Sequence, residues 1–282
     1  MIYIKTLVKK VILLIKRVAR TIVDFIIIFF LSIKNLIIEN KLYDNKIVFV
    51  TAIDERFVGN CEKLLLSFNK NLYKNQFVLY DLGCSSDSLE KLKKINKNIK
   101  IKKYTHELIP GKFEKDSLSS YNWKPIIINE VLNKYRSKVV WLDSGNTINK
   151  KIIFLKIALT SNKILVVKSS NQVHELSHKD TLSALSINKN ILKRNNFAGG
   201  LVGIDYTSEK YTKFIFEWMK YSQIKEIITP IGSNENNHRY DQTILTLLLH
   251  KNIFKNRTYK LTQPLLNFSV GVLFHNKRIF DL

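Results

Sequence analysis

The chain has 282 residues, 45% of them hydrophobic, with nine Gly and four Pro. That composition excludes a disordered, collagenous or low-complexity protein and suits one large domain or two small ones. Lys and Arg number 46 against 23 Asp and Glu, a formal net charge of +23, which favours anionic partners such as nucleotides, acidic lipids or nucleic acid.

Residues 1–40 form a segment of their own, with seven basic and two acidic groups and no Pro or Gly. At about 100° per residue, Lys5, Lys9, Lys10, Lys16, Arg17, Arg20, Asp24 and Lys34 share one arc. Ile4, Leu7, Val8, Val11, Ile15, Val18, Ile22, Phe25, Phe29, Ile33 and Leu36 lie opposite. This predicts a basic amphipathic helix that lies in a membrane interface. The longest uncharged run, Phe25–Ile33, falls short of the ~20 apolar residues that a span needs. A span over Ile22–Ile38, carrying Asp24 and Lys34, is one alternative, and a helix packed on the protein's own core is another.

Residues 41–282 read as one α/β domain. Ile47–Ile53 is a continuous β-branched run and predicts a buried strand. Cys61–Asn69 has helical periodicity, Gln76–Leu82 reads as a strand, and Ser85–Ile95 as a helix with a Ser-rich start. Ile99–Tyr104 is a third strand, Trp123–Tyr135 a helix with Pro125 in its first turn, and Lys138–Leu142 a fourth strand. The β-α-β-α-β-α-β order predicts a mainly parallel sheet with helices on both faces. Further on, Ile164–Lys168 and Gly200–Ile204 read as strands, and Lys210–Tyr221 and Asp241–Lys251 as helices. Cys61 and Cys84 are too few for a disulfide framework or a zinc site.

Ligands of open parallel sheets bind beyond the carboxyl ends of the strands. Asp143 follows the buried run Val139–Leu142 directly, and there a carboxylate can hold Mg²⁺ or Mn²⁺ against a diphosphate. The competing role is a cap for the turn Asp143-Ser144-Gly145. Lys124 stands at a helix start, against the dipole, where it could reach a diphosphate or Asp143; a solvated lysine beside a buried Trp is the alternative. Asp241 opens an apolar helix, as either a first-turn acid or a ligand group. His174 and His178 have a zinc-like spacing, without a third ligand in sight.

Five separated pieces, in order, resemble nucleotide-sugar glycosyltransferases of the GT-A fold, most closely glycosyltransferase family 8 and its bacterial relatives. They are Thr51-Ala52-x-Asp54, Leu142-Asp143, Ala198-Gly199, Asp241-Gln242, and His275 followed by Lys277. The resemblance implies a single GT-A-like (Rossmann-like) domain over residues 41–282. It implies that Thr51, Ala52, Asp54, Lys124, Ala198, Gly199 and Lys277 bind the donor. Asp143, Asp241 and Gln242 are the implied catalytic residues, and Asp143 and His275 the implied metal ligands. The family's second metal-binding carboxylate is replaced by Gly145, so the need for Mn²⁺ or Mg²⁺ stays open.

The expected activity is transfer of a sugar from a nucleotide diphosphate, UDP favoured, to a hydroxyl of a glycan or glycolipid, as in surface polysaccharide synthesis. With the basic helix, it implies a protein held peripherally on an anionic membrane, the cytoplasmic face of a bacterial inner membrane, with single-pass anchoring as the alternative. A non-enzymatic alternative is a basic membrane or nucleic-acid adaptor on a degenerate nucleotide-sugar fold. No nucleic-acid-binding motif is present, so no nucleic acid is expected as a partner.

Overall fold

Strand β1 (Ile47–Ile53) buries all seven of its residues, as a run without polar alternation must when a sheet is covered on both faces. These coordinates form a computed structural model that describes residues 47–105, 115–148, 155, 159–160, 163–254 and 274–276. The helix expected over residues 1–38 lies outside the described residues, as do residues 106–114, Lys277 and Arg278.

Helix α1 (Val58–Leu72) turns Val58, Cys61, Leu64, Leu65, Phe68 and Leu72 inward, a stripe at three- and four-residue steps. Strand β2 (Gln76–Asp81) leads into α2 (Ser86–Ile95), where the Ser85 side chain accepts from the Ser88 N–H and caps the helix. Then come β3 (Lys100–Lys103), α3 (Trp123–Tyr135) and β4 (Lys138–Leu142). Arg136 takes a left-handed φ of 46° and ends α3, so that β4 can begin two residues later.

The second half contributes β5 (Asn146–Ile148), β6 (Ile164–Gln172), α4 (Lys179–Ala184) and β7 (Asn195–Asp205). Helices α5 (Glu209–Ser222), α6 (Lys225–Ile228) and α7 (Tyr240–Leu248) follow, and then β8 (Phe274–Asn276). The main sheet is six-stranded, in the order β3-β2-β1-β4-β7-β6, and β5 pairs with β8 in a separate ribbon.

Strands β1 to β4 are parallel, as expected, but β7 runs antiparallel to both β4 and β6. The sheet is therefore mixed, and its parallel part is the first half of the chain. Antiparallel neighbours need no helical crossover, and register shifts beside Val167 and Lys168 bend the β6–β7 pair.

Strict alternation along β1 splits the core into two layers. Val48, Val50 and Ala52 pack with α3, α5 and α7. Phe49 and Ile53 pack with α1 and α2 on the opposite face. The chain moves outward from β1 through β2 to β3, while β4 sits on the other side of β1. The loops after β1 and β4 thus diverge, which opens a crevice at their carboxyl ends.

Candidate active site

Asp143 lies at that crevice. Its main chain is stapled to β7: its N–H donates to the Gly200 carbonyl at 2.9 Å, and its own carbonyl accepts from the Asn146 N–H at 3.0 Å. The Asn146 side-chain amide donates to the carbonyls of Asp143 (2.9 Å) and Gly200 (3.1 Å), so it fastens the loop. The Asp143 carboxylate turns away from this loop. Its Oδ1 accepts from the Trp141 indole N–H at 2.7 Å and faces Lys124 Nζ at 3.3 Å. A Cβ on Gly200 would stand 3.0 Å from Asp143 Oδ2, so glycine there leaves that oxygen open.

Lys124, in the first turn of α3, is the centre of the arrangement. Its side chain is only 4% exposed, and Nζ lies 3.3 Å from Asp143 Oδ1 and 3.3 Å from Asp241 Oδ2. Nζ also donates to the Gly199 carbonyl at 3.4 Å and lies 5.2 Å and 5.6 Å from the ring centroids of Tyr121 and Trp141. Burial alone would push its pKa down, but Asp143 and Asp241 outweigh burial and raise it. The unfavourable helix-dipole position is compensated by two carboxylates.

Asp241, in the first turn of α7, is 3% exposed, and its carbonyl accepts from the Trp218 indole N–H at 2.9 Å. Its pKa is pushed up to about 6, by burial first; Asp143 adds to this and Lys124 opposes it. Gly199 sits among these groups: a Cβ there would be 3.5 Å from Asp241 Oδ2, from Gln242 Cβ and from Lys124 Nζ. Strand β7 therefore brings backbone without side chains alongside all three acidic and basic groups.

Thr51 and Ala52 lie buried within β1. The Asp54 carboxylate is gripped by the Arg56 guanidinium at 2.6–3.2 Å and caps the short 3-10 turn Glu55–Phe57. Ala198 pairs with Val167 in the sheet, and Gln242 is half-buried. The β5–β8 ribbon sets His275 opposite Thr147, in the strand that follows the Asp143 loop.

Among the described residues, no three His, Cys, Asp or Glu side chains gather around one point. The outward oxygen of Asp143 is one hard donor for a divalent cation, and the described side chains do not complete a site around it. His174 Nδ1 donates to the Leu192 carbonyl, and His178 Nδ1 accepts from the Asp180 N–H, so their spacing serves the main chain.

Three aromatic residues at the site were not read from the sequence as part of it. Tyr121 lies two residues before α3 and Tyr240 is the first residue of α7, and both take a left-handed backbone (φ 55° and 47°), which is rare for bulky residues. Trp141 read only as a core residue, yet its N–H orients Asp143.

His238 holds the loop that leads to Asp241. It is buried, donates from Nε2 to the Ile228 carbonyl at 3.0 Å, and accepts the His178 N–H on Nδ1 at 3.3 Å. Burial lowers the pKa of His238, and likewise of His250, to about 4. Unfolding lets both bind protons near pH 6.5, so their contribution to stability is lost as pH falls from 6.5 towards 4. Asp241 works in the opposite direction over the same range, because its raised pKa favours the protonated fold. Lowering the pH from 7 to 5 should cost about 2 kcal/mol per histidine and return about 1 kcal/mol at Asp241. Urea melts across that range should show the net loss, and His238→Gln should remove roughly half of the histidine share.

Residues 29–129 match a family model described as a protein of unknown function (DUF1647). No curated protein matches the chain. Among solved structures, the bifunctional glycosyltransferase WbbM aligns with a TM-score of 0.51 at 13% identity, over 74% of this chain and 38% of its own. Core-mannan synthase A from Aspergillus fumigatus, in a Mn/GDP form, aligns with a TM-score of 0.51 at 7% identity, over 74% and 73%. The galactosyltransferase LgtC, in complex with donor and acceptor sugar analogues, aligns with a TM-score of 0.44 at 13% identity, over 78% and 83%. The chain has a GT-A-like α/β fold. It spans little more than a third of the length of WbbM, with 38% covered.

Proposed function

We propose that this chain transfers a sugar from a nucleotide diphosphate to a hydroxyl of a glycan or glycolipid. The observation that carries the reading is the Lys124 ammonium, which gathers Asp143 and Asp241 from separate segments beside the bare backbone of Gly199 and Gly200. Buried charge assembled at a strand-end crevice has a cost in stability that ligand chemistry accounts for. In this reading Asp241 and Gln242 face the donor sugar, and Asp143 lies under the diphosphate. The finer likeness to glycosyltransferase family 8 and the preference for UDP belong to the same proposal. Core-mannan synthase A, in its Mn/GDP form, makes GDP donors an equal part of the test.

Lys124 does not supply free positive charge, because it stands between two carboxylates. The departing diphosphate needs a counter-charge from elsewhere. Lys277 and Arg278 are candidates; a divalent cation held by the outward oxygen of Asp143 and by His275 would be a Lewis acid for the leaving phosphate. UDP- and GDP-sugar hydrolysis, with and without Mn²⁺, tests the reading directly. Saturating UDP or GDP, at about a hundred times its Kd, should stabilise the fold by about 2.7 kcal/mol. No stabilisation by either nucleotide and no donor turnover would remove the proposal.

Residues 1–38 complete the reading as a membrane-surface anchor at a cytoplasmic bilayer face. Among the described residues, no helix is long and apolar enough to cross a membrane. Full-length protein should co-sediment with anionic liposomes, and deletion of residues 1–38 should abolish this while sparing turnover with a soluble acceptor. A truncated protein that no longer folds would mean that this helix belongs to the core.

A further inference from the structure

A second polar cavity lies away from Lys124, between the edge strand β3 and α3. It is a half-open pocket of about 290 Å³, lined by Tyr80, Lys102, Lys103, Tyr104, Thr105 and Glu130. That volume is near the lower end for ligand pockets, the scale of one sugar ring rather than a nucleotide. Its charge is lopsided. Lys102 Nζ reaches Glu130 at 2.5 Å and the Tyr80 hydroxyl at 3.3 Å, and also stands 5.4 Å from the Tyr80 ring centroid.

Lys100 and Lys134 crowd in beside them, both ammonium groups within 6 Å of the Tyr135 ring, at 5.5 and 5.9 Å. Among the described residues, Glu130 is the only carboxylate lining the pocket, against Lys102 and Lys103 in the wall and Lys100 and Lys134 at the side. Repulsion from Lys102 is the main reason that the pKa of Lys134 is lowered. Like charges packed this way destabilise the empty state, and an oxyanion among them would reverse that cost. Tyr80 and Tyr104 add aromatic walls with polar tips, which suit a ring that has apolar faces and hydroxyl edges. Glu130 lies six residues beyond Lys124 on α3, about 9 Å along the helix axis, so the pocket and the Lys124 site share one helix.

We propose that this pocket is an oxyanion site for a phosphate- or carboxylate-bearing sugar unit, and that it selects an acidic acceptor. The second half of that statement rests on the transfer reading above; the first half does not.

The test uses the full chain and titrates glucose 6-phosphate, glucuronic acid and glucose by calorimetry, with UDP in a separate titration. Glucose 6-phosphate or glucuronic acid should bind at least tenfold more tightly than glucose, and the stronger of the two identifies the anion. The double variant Lys100→Gln/Lys134→Gln should weaken that binding tenfold, and Glu130→Gln should strengthen it, a gain that a damaged fold would not produce. UDP should neither compete nor change affinity in these variants. Equal binding of glucose and its acidic analogues, insensitivity to the lysine pair, or displacement by UDP would each overturn the site. Lysine-dependent sugar-anion binding in a chain that ignores nucleotides would keep the oxyanion site and end its assignment to an acceptor.

Discussion

Lys124→Met should be the most damaging single substitution at the site. Methionine keeps the unbranched apolar stem among Tyr121, Trp141 and α3, and removes only the ammonium. Asp241, 3% exposed, then loses the cation that lies 3.3 Å from it. Removing one partner of a buried pair typically costs about 3–5 kcal/mol. Protonation limits the loss here. Asp241 already titrates near 6 with Lys124 present, and without it the pKa moves further up, so the carboxyl is neutral at pH 7. The penalty should therefore grow as pH rises through the new pKa, and the variant should be closest to the parent in acid. Chemical denaturation at pH 5 and pH 8 reads this directly. The double variant Lys124→Met/Asp241→Asn should recover most of the stability and none of the transfer. A single variant that unfolds like the parent at pH 8 would show that the ammonium is not part of a buried pair.

The first half of the fold was legible because its signals are local. The apolar runs at β1 and β4 coincide with strands Ile47–Ile53 and Lys138–Leu142, and Pro125 and the left-handed Arg136 bracket α3. The direction of β7 was not legible, because side-chain alternation is the same in parallel and antiparallel strands. Its early part, Asn195 to Gly199, lies ahead of the strand expected over Gly200–Ile204, yet it belongs to one strand of eleven residues. Site residues were legible one by one, as Asp143, Lys124 and Asp241, but their meeting was not. Lys124 also looks solvated in sequence, since nothing local reveals that residues 143 and 241 bury it. The edge-strand lysines of β3 gave no sign of a pocket, because the cavity depends on α3 lying over them.

Asp143→Ala should abolish transfer in a protein that still folds. A turn-capping aspartate would cost ~1 kcal/mol of stability and leave activity intact. The observed carboxylate instead accepts from Trp141 and faces Lys124, while the turn is held by main-chain bonds and by the Asn146 side chain, which the substitution leaves in place. The side chain is 44% exposed, so its ion pair is screened by solvent and contributes little to stability. Loss of one well-placed electrostatic contact with the reacting groups costs about 3 kcal/mol, or roughly a hundredfold in rate. The loss should be larger here, because Lys124 would then be drawn towards Asp241 alone and its position beside Gly199 would relax. Trp141→Phe, which removes only the indole N–H, should produce a milder form of the same defect, tenfold or so, by releasing Asp143 Oδ1. Donor hydrolysis and thermal unfolding measured on the same samples separate the two roles. Full turnover in a destabilised Asp143→Ala protein would assign the residue to the turn and leave Asp241 as the sole acidic candidate beside the donor.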